Sequence, residues 1–366
     1  MTSGVVHHLL PRAFGRYLLL QRVAEGGMAE VYLALEEHPQ AGRRFVTIKR
    51  IREEHVDDPD FVDFFITEGR VSLKFAHPNL PLVFELGCHD EVHYLAMEYI
   101  HGHNLLDLLR GAVRGRRPLS LSTVTAIGIS VAAALEHAHC LADVDGAPLH
   151  LIHRDVTPQN IMLSTAGTVK LIDFGIVRSA IQVHRTQTGI IKGKFAYMAP
   201  EQLDGQHIDH RADLFALGIV LWEALLARPL FRGRTDEETV DNLQGLQIPD
   251  PRRLRADVPP ALSAVVLKAL ERNPRRRFPS ATEMLAALEQ VAEHCHMVPS
   301  ITRLRREAAE LCGSPALPVL PAQDAAGDPA AGAGPTETGQ AVDPLLTYYL
   351  RQAGIGAMPG RAADGS

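Results

Sequence analysis

The chain is poor in cysteine and in aromatic residues: its 366 residues include four Cys, one Trp and only 5% Phe, Tyr and Trp together. Cys88, Cys140, Cys295 and Cys312 stand far apart and form no C-x-x-C pair. That spacing argues against a zinc site or a disulfide framework and fits free thiols in a reducing cytoplasm. No run approaches the ~18 to 20 uninterrupted apolar residues of a membrane span. The amino-terminal stretch MTSGVVHHLLPRAFGRY lacks a charged segment followed by a long apolar one, so no secretory signal is expected. A strong charge imbalance is missing too. The formal net charge of −6 gives no reason to expect nucleic acid or an acidic membrane surface as a partner. The 18 histidines are scattered, and the adjacent His7 and His8 read as a solvated tail rather than a metal site.

What is present suits a globular protein. With 46% hydrophobic and 22% charged residues the chain can bury a large core, in two lobes or domains. Residues 17 to about 100 are strand-rich: residues 17–23 and 30–35 flank a Gly-Gly pair, and residues 44–51, 83–87 and 92–97 are further β-prone runs. Between them Asp58 caps a predicted helix, Pro59 fits its first turn, and Phe61, Phe64, Val71 and Phe75 supply its apolar face. From residue 104 helices dominate, over 105–110, 123–141, 212–226, 261–271 and 281–295. They are interrupted by a hairpin, 161–163 with 169–172, turned at Thr165-Ala166-Gly167. A sheet-rich lobe followed by a helical one is an α+β pattern. After about residue 314 the composition shifts to Ala, Gly and Pro, which cannot bury enough apolar surface to offset ordering entropy. Residues 343–352 (DPLLTYYLRQ) could form a short docking helix or stay unstructured.

The strongest chemical signal is His153-Arg154-Asp155-Val156-Thr157-Pro158-Gln159-Asn160, followed by Asp173-Phe174-Gly175. It is the H-R-D-x-x-x-x-N plus D-F-G pattern. A hydroxyl is a poor nucleophile, so a carboxylate such as Asp155 is needed to orient it and accept its proton. Asn160 and Asp173, at the two ends of the small hairpin, offer hard oxygens suited to magnesium. A polar turn alone would explain Asp155 or Asn160, but not both together with Asp173. Upstream, Val23-Ala24-Glu25-Gly26-Gly27-Met28-Ala29-Glu30-Val31 sits between two strands in the manner of a phosphate-cradling loop, and Gly26 permits the close backbone approach. By itself this loop would read as an ordinary hairpin turn. Lys49 lies on the third strand. Glu68 lies on the apolar helix face, where a carboxylate is costly unless paired.

Together these residues resemble the eukaryotic-like (Hanks-type) protein kinases over about residues 17–296, and GGMAEVY, HRDVTPQN and YMAPEQ look most like the bacterial branch. The resemblance implies a bilobal kinase fold, with an amino-terminal extension 1–16, a small β-rich lobe 17–97, a hinge 98–103, a helical lobe 104–296 and a carboxy-terminal extension 297–366. It implies ATP with magnesium, or manganese in its place, in the interlobe cleft. It also implies transfer of the γ-phosphoryl group to serine or threonine hydroxyls of proteins, the chain itself in trans among them, in the cytoplasm. Lys49 would contact the α- and β-phosphates and pair with Glu68. Val31 and Thr47 would form the adenine roof and Met162 the floor; Met97 would be the gatekeeper, and Glu98 and Ile100 would pair the adenine edge. Glu201 of Ala199-Pro200-Glu201 would pair with Arg277, and Asp213 would anchor the catalytic loop. Thr186 and Thr188 are the expected activating phosphosites, with Ser179 as fallback and Arg154 as their cationic partner.

The sequence departs from the family at Ala24, Ala29, Thr47, Thr157 and Lys194, and Ser72 is smaller than the residue that usually packs on Phe174. None of these removes a phosphate, metal or base ligand. The family's lysine two residues after the base is replaced by Thr157, and Lys194 stands where a threonine is usual. An exchange of roles is expected, with Lys194 bringing the cation from the opposite wall. The competing readings are a pseudokinase, which would lack Lys49, Asp155, Asn160 or Asp173, and a small-molecule phosphotransferase, which would lack the full Y-M-A-P-E-Q segment.

Overall fold

In the computed structural model, which describes residues 10–38, 42–174, 194–316 and 318, the amino-terminal lobe is one antiparallel sheet with a helix against it. The strands are β1 (Arg12–Phe14), β2 (Tyr17–Glu25), β3 (Ala29–His38), β4 (Gly42–Ile51), β5 (Val83–His89) and β6 (Val92–Glu98), in the order β1-β2-β3-β4-β6-β5. Side chains alternate across a strand, so β4 serves two faces at once. Val46 and Ile48 enter one cluster with Tyr17, Leu19, Tyr32 and Tyr94, while Ile51 joins Phe65 and Leu95 beneath the helix. Lys49, two residues before Ile51, is thereby aimed at the helix side. The sheet starts earlier than the sequence suggests, because β1 pairs with β2 from Arg12↔Leu19 to Phe14↔Tyr17.

Helix α1 (Pro59–Ser72) begins where predicted, with the Asp58 side chain accepting from Asp60 N–H at 3.1 Å. Its buried line differs from the expected one. Phe65, Glu68 and Gly69 are buried, Phe64 and Val71 are only partly so, and Phe75 lies beyond the helix end. The physical reason is Gly69, which reads as a gap in an apolar pattern but is the contact point. A Cβ there would stand 2.9 Å from both Leu86 and Leu95.

The second lobe contains α2 (Leu105–Arg114), α3 (Leu121–His139), α4 (Pro200–Leu203), α5 (Arg211–Leu226), α6 (Asp236–Gly245), α7 (Pro260–Ala269), α8 (Ala281–His294) and α9 (Ile301–Cys312). A small sheet, β7 (Gly102–Asn104), β8 (Ile161–Ser164) and β9 (Val169–Leu171), lies at its junction with the first lobe. Helix α5 is buried from Ala212 to Leu225 and is apolar on every face except at the buried carboxylates Asp213 and Glu223, as suits a central helix. Helix α3 is long and apolar enough to cross a membrane by length and composition, but most of it is buried inside this lobe.

Helix α9 falls in the carboxy-terminal extension, yet it packs on α2. Gly111 leaves room for the Leu311 backbone, and Leu304 and Ala308 are buried. Glu307 closes the joint. Its carboxylate accepts from Ser120 N–H (2.7 Å), Ser120 Oγ (2.7 Å) and Thr123 Oγ1 (2.5 Å) at the start of α3. A carboxylate at a helix amino terminus also meets the positive end of the helix dipole. Residues 343–352 lie outside the described residues.

Candidate active site

The site forms where β4, α1 and the two ends of the β8–β9 hairpin converge. Lys49 Nζ is 2.6 Å from Glu68 Oε1 and 3.6 Å from Asp173 Oδ1. Glu68 is buried and Asp173 partly open to solvent, so the lysine bridges a fixed carboxylate and an accessible one.

The hairpin explains how distant residues meet. Ile172 N–H donates to Asn160 C=O at 2.8 Å, which ties the two strand ends together. The Asn160 amide nitrogen donates to the Asp155 backbone oxygen and to Asp155 Oδ2, both at 2.8 Å. Its amide oxygen is therefore turned away from Asp155 and suits a cation.

The loop carrying Asp155 is held from below by Asp213, on α5. Asp213 Oδ2 accepts from His153 N–H (2.7 Å) and His139 Nε2 (2.9 Å), and Oδ1 accepts from Arg154 N–H (2.8 Å). Burial works to raise the Asp213 carboxyl pKa, but the His139 bond and charge and the His153 bond overcome it, leaving it below the usual carboxylate value. Arg154 and Asp173 adopt left-handed backbone conformations (φ 63° and 57°), uncommon outside glycine. The Asp213 bond holds the first. His153 donates from Nε2 to Ile172 C=O (3.2 Å) and accepts at Nδ1 from Asp155 N–H (3.2 Å), an arrangement only the neutral ring can satisfy. Burial lowers its pKa accordingly.

Phe174 is buried between His153 (ring centroids 4.3 Å apart) and Phe75 (4.5 Å). The small Ser72 leads one to expect a loosened α1. Instead Phe75, just past the helix end, packs on Phe174, and α1 keeps Glu68 on Lys49.

Arg277 lies against Glu201 in a bidentate pair (2.6 and 2.7 Å), both side chains buried. It also donates to the carbonyls of Glu271, Arg211 and Arg272, so all five of its N–H groups are used. Arg154 Nη1, by contrast, is buried without a hydrogen-bond partner among the described residues. Thr186, Thr188 and Ser179 lie outside the described residues, as does the side chain of Lys194, whose backbone starts the turn Lys194–Tyr197. Thr157 is buried.

Gly26 N–H donates to Ala29 C=O at 2.8 Å, closing the β2–β3 loop. Val23 is exposed, Val31 lies opposite Lys49, and Ala24 pairs with Val31. The side chains of Glu25 and Glu30 are drawn away to arginines: Glu25 to Arg22 and Arg52, Glu30 to Arg50 and Arg22. Any part they take in nucleotide binding is through backbone. Met97 lies opposite Thr47 on β4, Met162 opposite Asn104 on β7, and the Glu98 carboxylate reaches Lys170 at 2.9 Å. Ile100 follows β6 in the connection to β7.

Two residues near the site carried no sequence signal. Glu223 on α5 is a buried carboxylate that accepts from Tyr197 O–H (2.7 Å) and Leu230 N–H (2.9 Å), and burial raises its pKa. His55 touches the glycine loop. Each would read as a lone polar residue in the sequence.

Among the described residues no three metal-binding side chains cluster. Asn160 and Asp173, brought to adjacent strand ends by the Ile172–Asn160 bond, offer hard oxygens of the kind that divalent cations take. A glycine loop over a cleft, a lysine fixed by a helix carboxylate and two oxygen donors beside an aspartate define a two-lobed phosphotransferase. Residues 17–288 match the protein kinase domain family, and the chain belongs to it. The family uses ATP with a divalent metal and acts on proteins. A Myxococcus xanthus protein named tyrosine-protein kinase MasK is 40% identical over 293 residues, covering 80% of this chain and 45% of that one. Serine/threonine-protein kinase PrkC of Bacillus subtilis is 31% identical over 278 residues (76% and 41%). PknD of Mycobacterium tuberculosis, also named a serine/threonine-protein kinase, is 33% identical over 330 residues (90% and 47%). The crystal structure of the Mycobacterium tuberculosis PknI kinase domain superposes with a TM-score of 0.55 at 28% identity, covering 76% of this chain and 97% of that one. The chain spans less than half the length of the curated relatives it matches.

Proposed function

We propose that the chain is an active serine/threonine protein kinase that transfers the γ-phosphoryl group of ATP to protein hydroxyls, its own activation segment included. The observation that carries this reading is the joint placement of Lys49 on Glu68, Asp173 beside Lys49, and Asn160 on Asp155. Asp155 accepts the proton of the acceptor hydroxyl as its oxygen bonds to the γ-phosphorus and the bond to the leaving oxygen breaks. Lys49 positions the α- and β-phosphates. Asn160 and Asp173 would hold magnesium, which would supply charge neutralisation at the phosphates. Val31 and Thr47 roof the adenine, Met162 floors it, Met97 is the gatekeeper, and the backbones of Glu98 and Ile100 pair its edge. Phosphorylation at Thr186 or Thr188 would give the buried Arg154 Nη1 a partner. Lys194 brings a cation to the γ-phosphate in place of the lysine absent at Thr157; an undiminished rate in Lys194→Ala would end that assignment. The unpaired thiols fit a cytoplasmic location.

The test is radiolabel transfer from ATP to a generic protein substrate and to a panel of small alcohols, followed by phosphoamino-acid analysis. Phosphoserine and phosphothreonine, lost in Asp155→Asn, are expected. Label on the small alcohols alone would overturn the protein-kinase reading. The name of the Myxococcus relative makes tyrosine the alternative acceptor, and dominant phosphotyrosine would favour it.

A further inference from the structure

The tip of the β2–β3 loop is held from behind by the link between β4 and α1. Arg52 Nη1 donates to Gly26 C=O (3.3 Å), His55 Nε2 to Gly27 C=O (2.9 Å) and Arg52 N–H to Met28 C=O (3.1 Å). Three successive loop carbonyls thus face residues 52–55. A planar trans peptide carries its C=O and the following N–H on opposite sides. Fixing the Gly26 and Gly27 carbonyls therefore turns the N–H groups of Gly27 and Met28 away from that link. The Gly26 N–H is already committed to Ala29.

His55 is placed for this task. It is buried, and its ring lies flat on Phe61 of α1, with centroids 4.1 Å apart and planes 5° from parallel. A carbonyl only accepts, so Nε2 carries the hydrogen. Glu54 Oε1 stands 3.4 Å from the same nitrogen and 3.3 Å from Arg52 Nη2, and the Arg52 guanidinium also meets Glu25.

We propose that His55, assisted by Arg52, is a positioning residue that orients the Gly27 and Met28 amides as donors to the triphosphate. Successive backbone N–H groups aimed at one point make an anion site, and their strength depends on being oriented in advance. Through Phe61 the same ring ties the loop to α1, the helix that carries Glu68. This inference rests on the kinase reading and concerns its triphosphate grip.

The experiment compares binding of ATP and of adenosine, which lacks phosphates, to the purified chain, together with the KM for ATP. His55→Ala should weaken ATP binding and raise KM by about 10-fold, the order expected for losing well-oriented hydrogen bonds to a charged group, with adenosine binding unchanged. His55→Gln, which keeps an N–H donor, should recover much of the loss. Unchanged ATP binding in His55→Ala overturns the proposal. So does an equal loss for ATP and adenosine, which would make His55 a packing residue only. Failure of the kinase reading shows separately, as a wild type that transfers no phosphoryl group; if it still loses ATP but not adenosine on His55→Ala, the loop inference stands.

Discussion

Two glutamate ion pairs in this molecule have the same closest approach, 2.6 Å, and opposite characters. Glu201–Arg277 is sealed in the helical lobe, doubly bonded, and every donor of its arginine is used; the guanidinium also lies 4.6 Å from the centre of the Phe215 ring. Lys49–Glu68 joins a strand to a helix in the small lobe through a compact ammonium that also faces the partly open Asp173 at 3.6 Å. The first arrangement leaves nothing to offer a ligand. The second keeps its cation available at the edge of a cleft. Complete satisfaction marks the scaffold, and deliberate sharing marks the chemistry.

The comparison breaks most sharply if the two pairs are attacked separately. Asp155→Asn and Lys49→Met should each reduce autophosphorylation by at least ~100-fold, the scale of general-base and charge-positioning effects. The melting temperature should stay within a few degrees of wild type in Asp155→Asn, whereas Lys49→Met leaves the buried Glu68 without its cation and should lower it. An Asp155→Asn enzyme retaining more than a few per cent of turnover would mean that another group is the base.

Arg277→Ala should do the reverse to the fold. Removing one partner of a buried pair strands the other charge and should cost about 3–5 kcal/mol. Thermal denaturation should register this as a large fall in melting temperature. A variant with wild-type stability would show that Glu201 finds solvent or another cation.

Next in size is the joint between α9 and α3. Glu307→Ala leaves Ser120 N–H and two hydroxyls without their carboxylate, a loss of about 1–3 kcal/mol. Deleting residues 314–366 should leave stability nearly unchanged, whereas a cut before Ser300 should lower it at least as much as Glu307→Ala. Equal melting curves for both truncations would remove α9 from the fold.

Local signals made much of this legible. Asp58-Pro59 marks the start of α1, alternation marks β2 to β6, and the H-R-D and D-F-G patterns carry their own spacing. What was not legible depends on partners distant in sequence. Gly69 reads as a weak helix residue until Leu86 and Leu95 arrive. Glu307 reads as a surface charge until it caps a helix 187 residues earlier. Three-residue β1 is too short to show alternation, and Phe75 continues the apolar face in the sequence because nothing local says that the helix stops at Ser72.

The smallest expected effect is a pH dependence centred on His153. Its ring must be neutral, because Nδ1 accepts from Asp155 N–H while Nε2–H serves Ile172, and burial lowers its pKa from the ordinary value near 6.5. Between the folded value and about 6.5 the unfolded chain binds a proton that the folded chain does not. Stability contributed by this histidine is therefore complete above that window and is lost as the pH falls through it, with a slope of at most ~1.4 kcal/mol per pH unit. Asp213 shares the sign but acts lower: its depressed carboxyl contributes above the usual carboxylate value and is lost as the pH falls through the folded value. His77 and His101, also lowered by burial, titrate in the histidine window as well, so wild type alone cannot isolate one ring. The measurement is the urea midpoint across pH 5 to 8 for wild type and His153→Phe. The variant should be less stable throughout, because Ile172 C=O and Asp155 N–H lose their partner, yet its acid-side slope should be shallower by one histidine. Parallel curves would show that His153 takes up its proton as readily in the folded chain as in the unfolded one, and that the acid-side slope comes from other groups.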